Sequence, residues 1–159
     1  MIRILLPIDG SPAAIDAVRH ALSLVAAGLH ANFVLINVQE PASLYELMTA
    51  PDAPTLERVA EGAGRHALEP AEALIKVTGT PYVSEVVTGD PAQALVEAAE
   101  RHHCEAVVMG ARGVGALRSA VMGSVSQSLL HRLSLPVTIV RHTVADTGGL
   151  IDGIPGEDL

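Results

Sequence analysis

Aromatic residues are almost missing from this chain, which has no tryptophan, two tyrosines and one phenylalanine, 2% of the sequence in all. A hydrophobic content of 49% must therefore be carried by Ala, Val, Leu and Ile. Such a composition suits Val/Ile-rich parallel strands covered by Ala/Leu helices. Cysteine is nearly absent too. Cys104 is the only one, which excludes an internal disulfide and any CxxC redox or zinc pair, and agrees with a reducing compartment. A buried, inert thiol is its expected role. Basic residues are few, 10 Lys and Arg against 18 Asp and Glu for a net charge of −8. They are scattered along the chain with no patch that could track a phosphate backbone, so nucleic acid is not an expected partner. Long apolar runs are also lacking. The opening MIRILLPIDG is interrupted at Pro7 and Asp9 and is too short for a signal peptide. No later segment approaches the ~20 apolar residues of a membrane span. A cytoplasmic protein with no membrane partner is the expectation.

What is present reads as one α/β domain, within the size range that a single core supports at 159 residues. Ile2 to Ile8 is a near-continuous apolar run, as for a strand buried on both faces, and it ends at Asp9-Gly10-Ser11-Pro12. Ser11 is placed as an N-cap and Pro12 as the first helical residue, with Ile15, Val18, Leu22, Val25 and Leu29 as the helix stripe. Phe33 to Val38 is a second strand, and the Pro-containing stretch from Glu40 to Pro54 is not expected to be regular throughout. A second helix begins near Thr55 with Leu56, Val59, Ala63 and Ala67 as its stripe, and Pro70 is expected to kink or split it. Tyr82 to Thr88 is a third strand, with Pro81 and Ser84 suggesting a sheet edge. Gly89-Asp90-Pro91 then repeats the cap-and-proline signal ahead of Leu95, Ala98 and Ala99. Ala106 to Met109, a helix from Ser124 to Leu133 and a strand from Pro136 to Val140 complete the alternation. It implies a mostly parallel sheet with helices on both faces. Residues 143–159, rich in Gly and Asp, read as a flexible C-terminal tail beyond a domain at 1–142.

In open parallel sheets ligands bind beyond the carboxyl ends of the strands, where the strand order reverses. Two turns at such ends are unusual. One is Pro7-Ile8-Asp9-Gly10-Ser11, which sets a carboxylate at a strand end just before a helix. The other begins at Met109-Gly110-Ala111-Arg112-Gly113 and runs on to Gly123-Ser124, giving the pattern G-x2-G-x9-G-S. Glycines let backbone N–H groups approach phosphate oxygens, and a helix opening at Ser124 adds free donors and the positive end of a dipole. Arg112 and Arg118 place cations in the same loop. The same glycines and serine also suit an ordinary βα turn with its cap. The length from Gly110 to Gly123 favours function, since such connections usually take about two to six residues. Asp9 has two readings as well, a ligand contact or a carboxylate that caps its own turn.

Two familiar nucleotide signatures are excluded. The Walker pattern needs a lysine on the phosphates, and the only lysine, Lys76, is remote from every Gly-rich loop. The dinucleotide fingerprint needs a third glycine where Gly113-Val114-Gly115 is followed by Arg118. The histidines show no ligand spacing, and His102-His103 reads as a solvated helix end.

The segments ILLPIDGS, TGDPAQALVEAAE, VVMGARG and MGSVSQSLLHRLSLPVTIVR together resemble the universal stress protein family, from Met1 to about His142. The G-x2-G-x9-G-[ST] pattern is the mark of that family's ATP-binding branch. The resemblance implies a doubly wound, Rossmann-like five-stranded parallel sheet of order 3-2-1-4-5, with the switch point between strands 1 and 4. It implies that Asp9 and Val38 form the adenine pocket with Pro7 and Ile8 beside them. Met109, Gly110, Arg112 and Gly113 would line the ribose and first phosphates, and Gly123, Ser124 and Val125 the outer phosphates. Ala111 departs from the Ser or Thr frequent there, removing one hydroxyl contact. The ligand implied is ATP or another adenine nucleotide, with Mg²⁺ or Mn²⁺ carried by the phosphates and no metal site of the protein's own.

The reading is thus an ATP-binding stress or signalling protein, not a metabolic enzyme, acting through nucleotide-dependent conformation and unknown protein partners. A slow ATPase of the same fold and a non-nucleotide interaction module are the alternatives. The apolar fifth strand, Pro136 to Val140, lies at a sheet edge in the resembling family and implies a homodimer through that strand.

Overall fold

The computed structural model describes residues 1–49, 52–111 and 123–142. Strand β1 (Ile2–Pro7) leads to helix α1 (Pro12–Ala26), and β2 (Ala31–Gln39) to a short α2 (Leu44–Thr49) and a long α3 (Ala53–Thr78). Then follow β3 (Tyr82–Thr88), α4 (Pro91–Arg101), β4 (Ala106–Gly110), α5 (Ser124–Arg132) and β5 (Val137–Val140). The sheet has five strands in the order β3-β2-β1-β4-β5, and every pairing is parallel. This is the doubly wound order that the resemblance implies, with its reversal between β1 and β4.

Alternation along the strands divides the core into two layers. Ile4, Leu6, Ile8, Phe33, Leu35 and Val108 face α1 and α3, while Leu5, Val34, Ile36, Val107 and Met109 face α4 and α5. Each fully buried Leu, Ile or Phe contributes about 1.5–3 kcal/mol. Cys104 joins the second layer, and burial pushes its thiol up to about 11. It is therefore a neutral thiol at physiological pH, as an inert core residue should be.

The helices pack more closely than their large apolar residues suggest. In α1 the residues fully buried are Ala13, Ala14, Ala17, Val18 and Ala21, while Ile15, Leu22 and Val25 are half-buried at the margins. Small side chains let this helix lie near the sheet. In α3 the expected stripe is displaced. Val59 is 65% exposed, and the buried line is Gly64, Leu68, Ala71 and Ile75. Gly64 sets that phase, since a Cβ there would lie 2.4 Å from Val86 Cγ1 and 2.8 Å from Asn37 Oδ1.

Pro70 does not split α3, which is continuous from Ala53 to Thr78. Pro70 itself faces solvent, so the carbonyl that it leaves without an N–H donor is on the wet side. Leu68 and Ala71 anchor the helix on either side of it. His102 departs from the solvated helix end expected of it, because its Nε2 lies 2.8 Å from Glu85 Oε2 on β3. Arg101 also donates to both oxygens of Glu85 at 2.9 Å, so the end of α4 is tied to the edge strand.

Candidate functional site

The crevice at the switch point is built from three strand ends and two helix starts. β1 pairs with β2 on one side and β4 on the other, so the ends at Val38, Asp9 and Gly110 lie side by side along the carboxyl edge of the sheet. The parallel crossovers bring the starts of α1 and α5 to that same edge.

At the end of β1, Ile8 is 2% exposed and donates its N–H to Ile36 C=O at 2.8 Å. Its side chain belongs to the core, and so does that of Met109. What these two residues present at the crevice is main chain. Asp9 is exposed, and its Oδ1 accepts the Ser11 N–H at 2.9 Å. The carboxylate thus does cap its own turn. Gly10 follows with φ +81°, a left-handed conformation that costs glycine nothing. Ser11 is the N-cap of α1, accepting the Ala14 N–H at 3.2 Å, and Pro12 opens the helix.

At the end of β4, Gly110 has a packing role that its place in a phosphate pattern does not reveal. A Cβ on it would lie 2.4 Å from the carbonyl carbon of Ala13 and 2.5 Å from its oxygen. Helix α1 can therefore reach the strand end only because this position lacks a side chain. Ala111 then donates its N–H to Val140 C=O at 2.7 Å, extending the sheet edge toward β5. Arg112, Gly113 and Arg118 lie outside the described residues.

The motif resumes at Gly123, which is the N-cap of α5 with φ −60° and ψ 155°. Ser124 is the first helical residue and is exposed, while Val125 is half-buried against the second core layer. The serine is thus not the cap. The contrast among helix starts is informative. Side chains of Ser11, Asp52 and Asp90 accept first-turn N–H groups of α1, α3 and α4. At α5 the cap is a glycine, and no side chain among the described residues accepts its first-turn N–H groups, an opening of the kind that suits an outside acceptor.

Val38 lies half-buried at the end of β2. In a parallel ladder the main-chain groups of alternate residues face the same neighbour, so Val38 N–H and C=O face β1 as those of Ile36 do. The next rung would join Val38 N–H to Ile8 C=O, but the last main-chain rung is Ile8 N–H to Ile36 C=O. Ile8 C=O instead accepts from Asn37 Nδ2 at 2.8 Å. Asn37 is 2% exposed, and its Oδ1 accepts from Gln39 Nε2 at 2.7 Å. Sequence reading missed both partners, although a lone amide inside the apolar run Phe33 to Val38 was a visible signal. No group of three or more His, Cys, Asp and Glu suited to a metal ion occurs among the described residues.

A doubly wound sheet with Gly-bearing turns at its switch point defines the class of α/β ligand-binding domains. Within that class the model of the universal stress protein family matches residues 1–141, and the chain belongs to that family. A universal stress protein of Thermus aquaticus is 33% identical, with the alignment covering 87% of this chain and 97% of the relative. Among solved structures, hypothetical protein MJ0577 superposes with a TM-score of 0.74 at 21% identity, covering 91% of this chain and 98% of that one. A universal stress protein in complex with cAMP superposes with a TM-score of 0.66 at 25% identity, covering 90% and 98%. The family's description and the name of the Thermus aquaticus relative refer to stress and not to a reaction. No helix among the described residues is long and apolar enough to cross a membrane.

Proposed function

We propose that the protein is a cytoplasmic adenine-nucleotide receptor, with ATP as its ligand at the β1/β4 switch point and no metabolic turnover. The observation that carries this reading is the start of α5. It is a helix opening with a glycine as its cap and no side-chain cap among the described residues, at the end of a G-x2-G-x9-G-S pattern. Phosphate oxygens complement such a group of free N–H donors and the positive dipole end behind it. The cAMP complex of a relative supports an adenine nucleotide in this family.

Each residue then has a stated part. Gly123, Ser124 and Val125 would hold the outer phosphates through main-chain N–H groups and the Ser124 hydroxyl. Gly110 and Met109 would offer main chain near the ribose, and Arg112 and Gly113 would complete the loop around the first phosphates. Asp9 and Val38 would flank the base, with Pro7 and Ile8 forming its floor. Adenine presents an acceptor, N1, beside a donor, the 6-amino group. Val38 N–H and C=O are a matching pair, and guanine presents the opposite order. Mg²⁺ or Mn²⁺ would arrive with the phosphates.

Phosphoryl transfer requires a nucleophile and compensating charge held in place, and efficient kinases reach roughly 1–100 per second. The sequence marks no residue for that task, so hydrolysis is expected over minutes or longer in single turnover. Nucleotide occupancy would act instead through loop conformation and partner choice, in a homodimer joined along β5. Mass spectrometry of small molecules released from freshly purified, denatured protein tests the reading. Adenine nucleotide is expected, and its absence together with no binding of added ATP would refute it.

A further inference from the structure

We propose that Asn37 is a positioning residue for base selection: its side chain ends the β1–β2 ladder one rung early and reserves the Val38 main chain for the ligand. This inference rests on the nucleotide reading above. Three observations carry it. Asn37 Nδ2 holds Ile8 C=O at 2.8 Å, the acceptor that Val38 N–H would take in a continued parallel ladder. The amide cannot turn over without loss, because Gln39 Nε2 donates to its Oδ1 at 2.7 Å and a carbonyl can only accept at its other end. The side chain is also confined. It is 2% exposed, and α3 crosses so near that a Cβ on Gly64 would lie 2.8 Å from Asn37 Oδ1.

An unpaired amide in a strand core is costly, and a leucine of similar size would avoid that cost. Asn37 instead spends its donor on a main-chain carbonyl at the site. The consequence is specific. With Ile8 C=O already held by Asn37, Val38 N–H is kept for the ligand. With its own C=O, which accepts no N–H from the described part of the β1 turn, it forms a donor and acceptor pair beside Asp9, matched to adenine and mismatched to guanine. Asn37 touches no ligand in this account and acts through Val38.

The experiment compares ATP and GTP binding by calorimetry in the full chain and in Asn37→Leu, alongside hydrogen exchange of the Val38 amide and thermal melting. Leucine keeps the volume and removes the donor, so Ile8 C=O is left to Val38 N–H and the ladder extends. Expected is a drop in the ATP-over-GTP preference by about tenfold or more, the scale of one well-made hydrogen bond. The Val38 amide should exchange more slowly. A residue that only stabilises the fold would lower the melting temperature and leave both readouts unchanged. If Asn37→Leu does not fold, Gln39→Met decides, since it frees the Asn37 amide at a half-buried position. A smaller loss of preference there supports the inference. A folded variant with the wild-type preference, or with unchanged Val38 exchange in Asn37→Leu, overturns it. Wild-type protein that binds neither nucleotide overturns the nucleotide reading itself.

Discussion

Gly110 and Ala13 approach so closely that a methyl group on Gly110 would overlap the Ala13 main chain at 2.4 Å. The first glycine of the motif is thus fixed by helix–strand packing, whatever it does for a ligand. Backbone cannot yield as the tip of a flexible side chain does. Gly110→Ala should therefore displace the start of α1 and cost about 1–3 kcal/mol, the range of overpacking a filled site. Chemical denaturation measures it. Unchanged stability would show that α1 can retreat from the strand end without loss.

The tie between Glu85 and the end of α4 predicts a pH dependence. Burial raises the Glu85 carboxyl, but hydrogen bonds from His102 and Arg101 outweigh it and hold the group below its ordinary value of 4.5. A depressed carboxylate stabilises the fold above its unfolded value, and that contribution is lost as pH falls through the lower folded value. Glu85→Gln should then lower stability at neutral pH and flatten the acid side of the melting-temperature profile. The effect should be about 1 kcal/mol or less, since the carboxylate is partly exposed. Parallel profiles for the two proteins would contradict it.

How much of this was legible in the sequence depended on whether local chemistry or tertiary packing decided the outcome. The strand runs, the caps at Ser11 and Asp90 and the edge position of β3 follow from local pattern, and all appear in the structure. The α3 stripe does not. Val59 fits helical spacing, but Gly64 fits against Val86 and Asn37, and a contact from another element is invisible to periodicity. Pro70 likewise argued for a kink or a split, and the helix is not split, with Pro70 on its solvent face where the carbonyl it leaves without a donor can meet water. At the site, the turn around Asp9 and the start of α5 were readable from Asp-Gly-Ser and Gly-Ser. Asn37 was not, because its role exists only where β1 stops and β2 continues.

The β5 strand leads to a prediction about assembly. Val137–Val140 is the edge of the sheet beyond β4, and its Val137, Ile139 and Val140 are only half-buried. An apolar edge of this kind invites pairing. A two-fold homodimer with antiparallel β5 strands is expected. The main-chain groups of Pro136, Thr138 and Val140 face β4, so those of Val137 and Ile139 line the free edge, and Ile139→Pro should reduce the dimer by removing an edge N–H. Light scattering at micromolar concentration checks this. A monomer mass for the unaltered protein would reject it.

The phosphate cradle is the claim on which the functional account depends. Calorimetry of ATP with Mg²⁺, on the unaltered protein and on Gly123→Val, tests it most directly. A β-branched side chain at the cap of α5 would stand where phosphate oxygens must approach the first-turn N–H groups. Ser124→Ala should cost only about 0.5–2 kcal/mol, the worth of one hydroxyl contact. The account predicts ATP binding by the unaltered protein and no measurable binding by a Gly123→Val protein that melts as the unaltered one does. Wild-type affinity in folded Gly123→Val would contradict it.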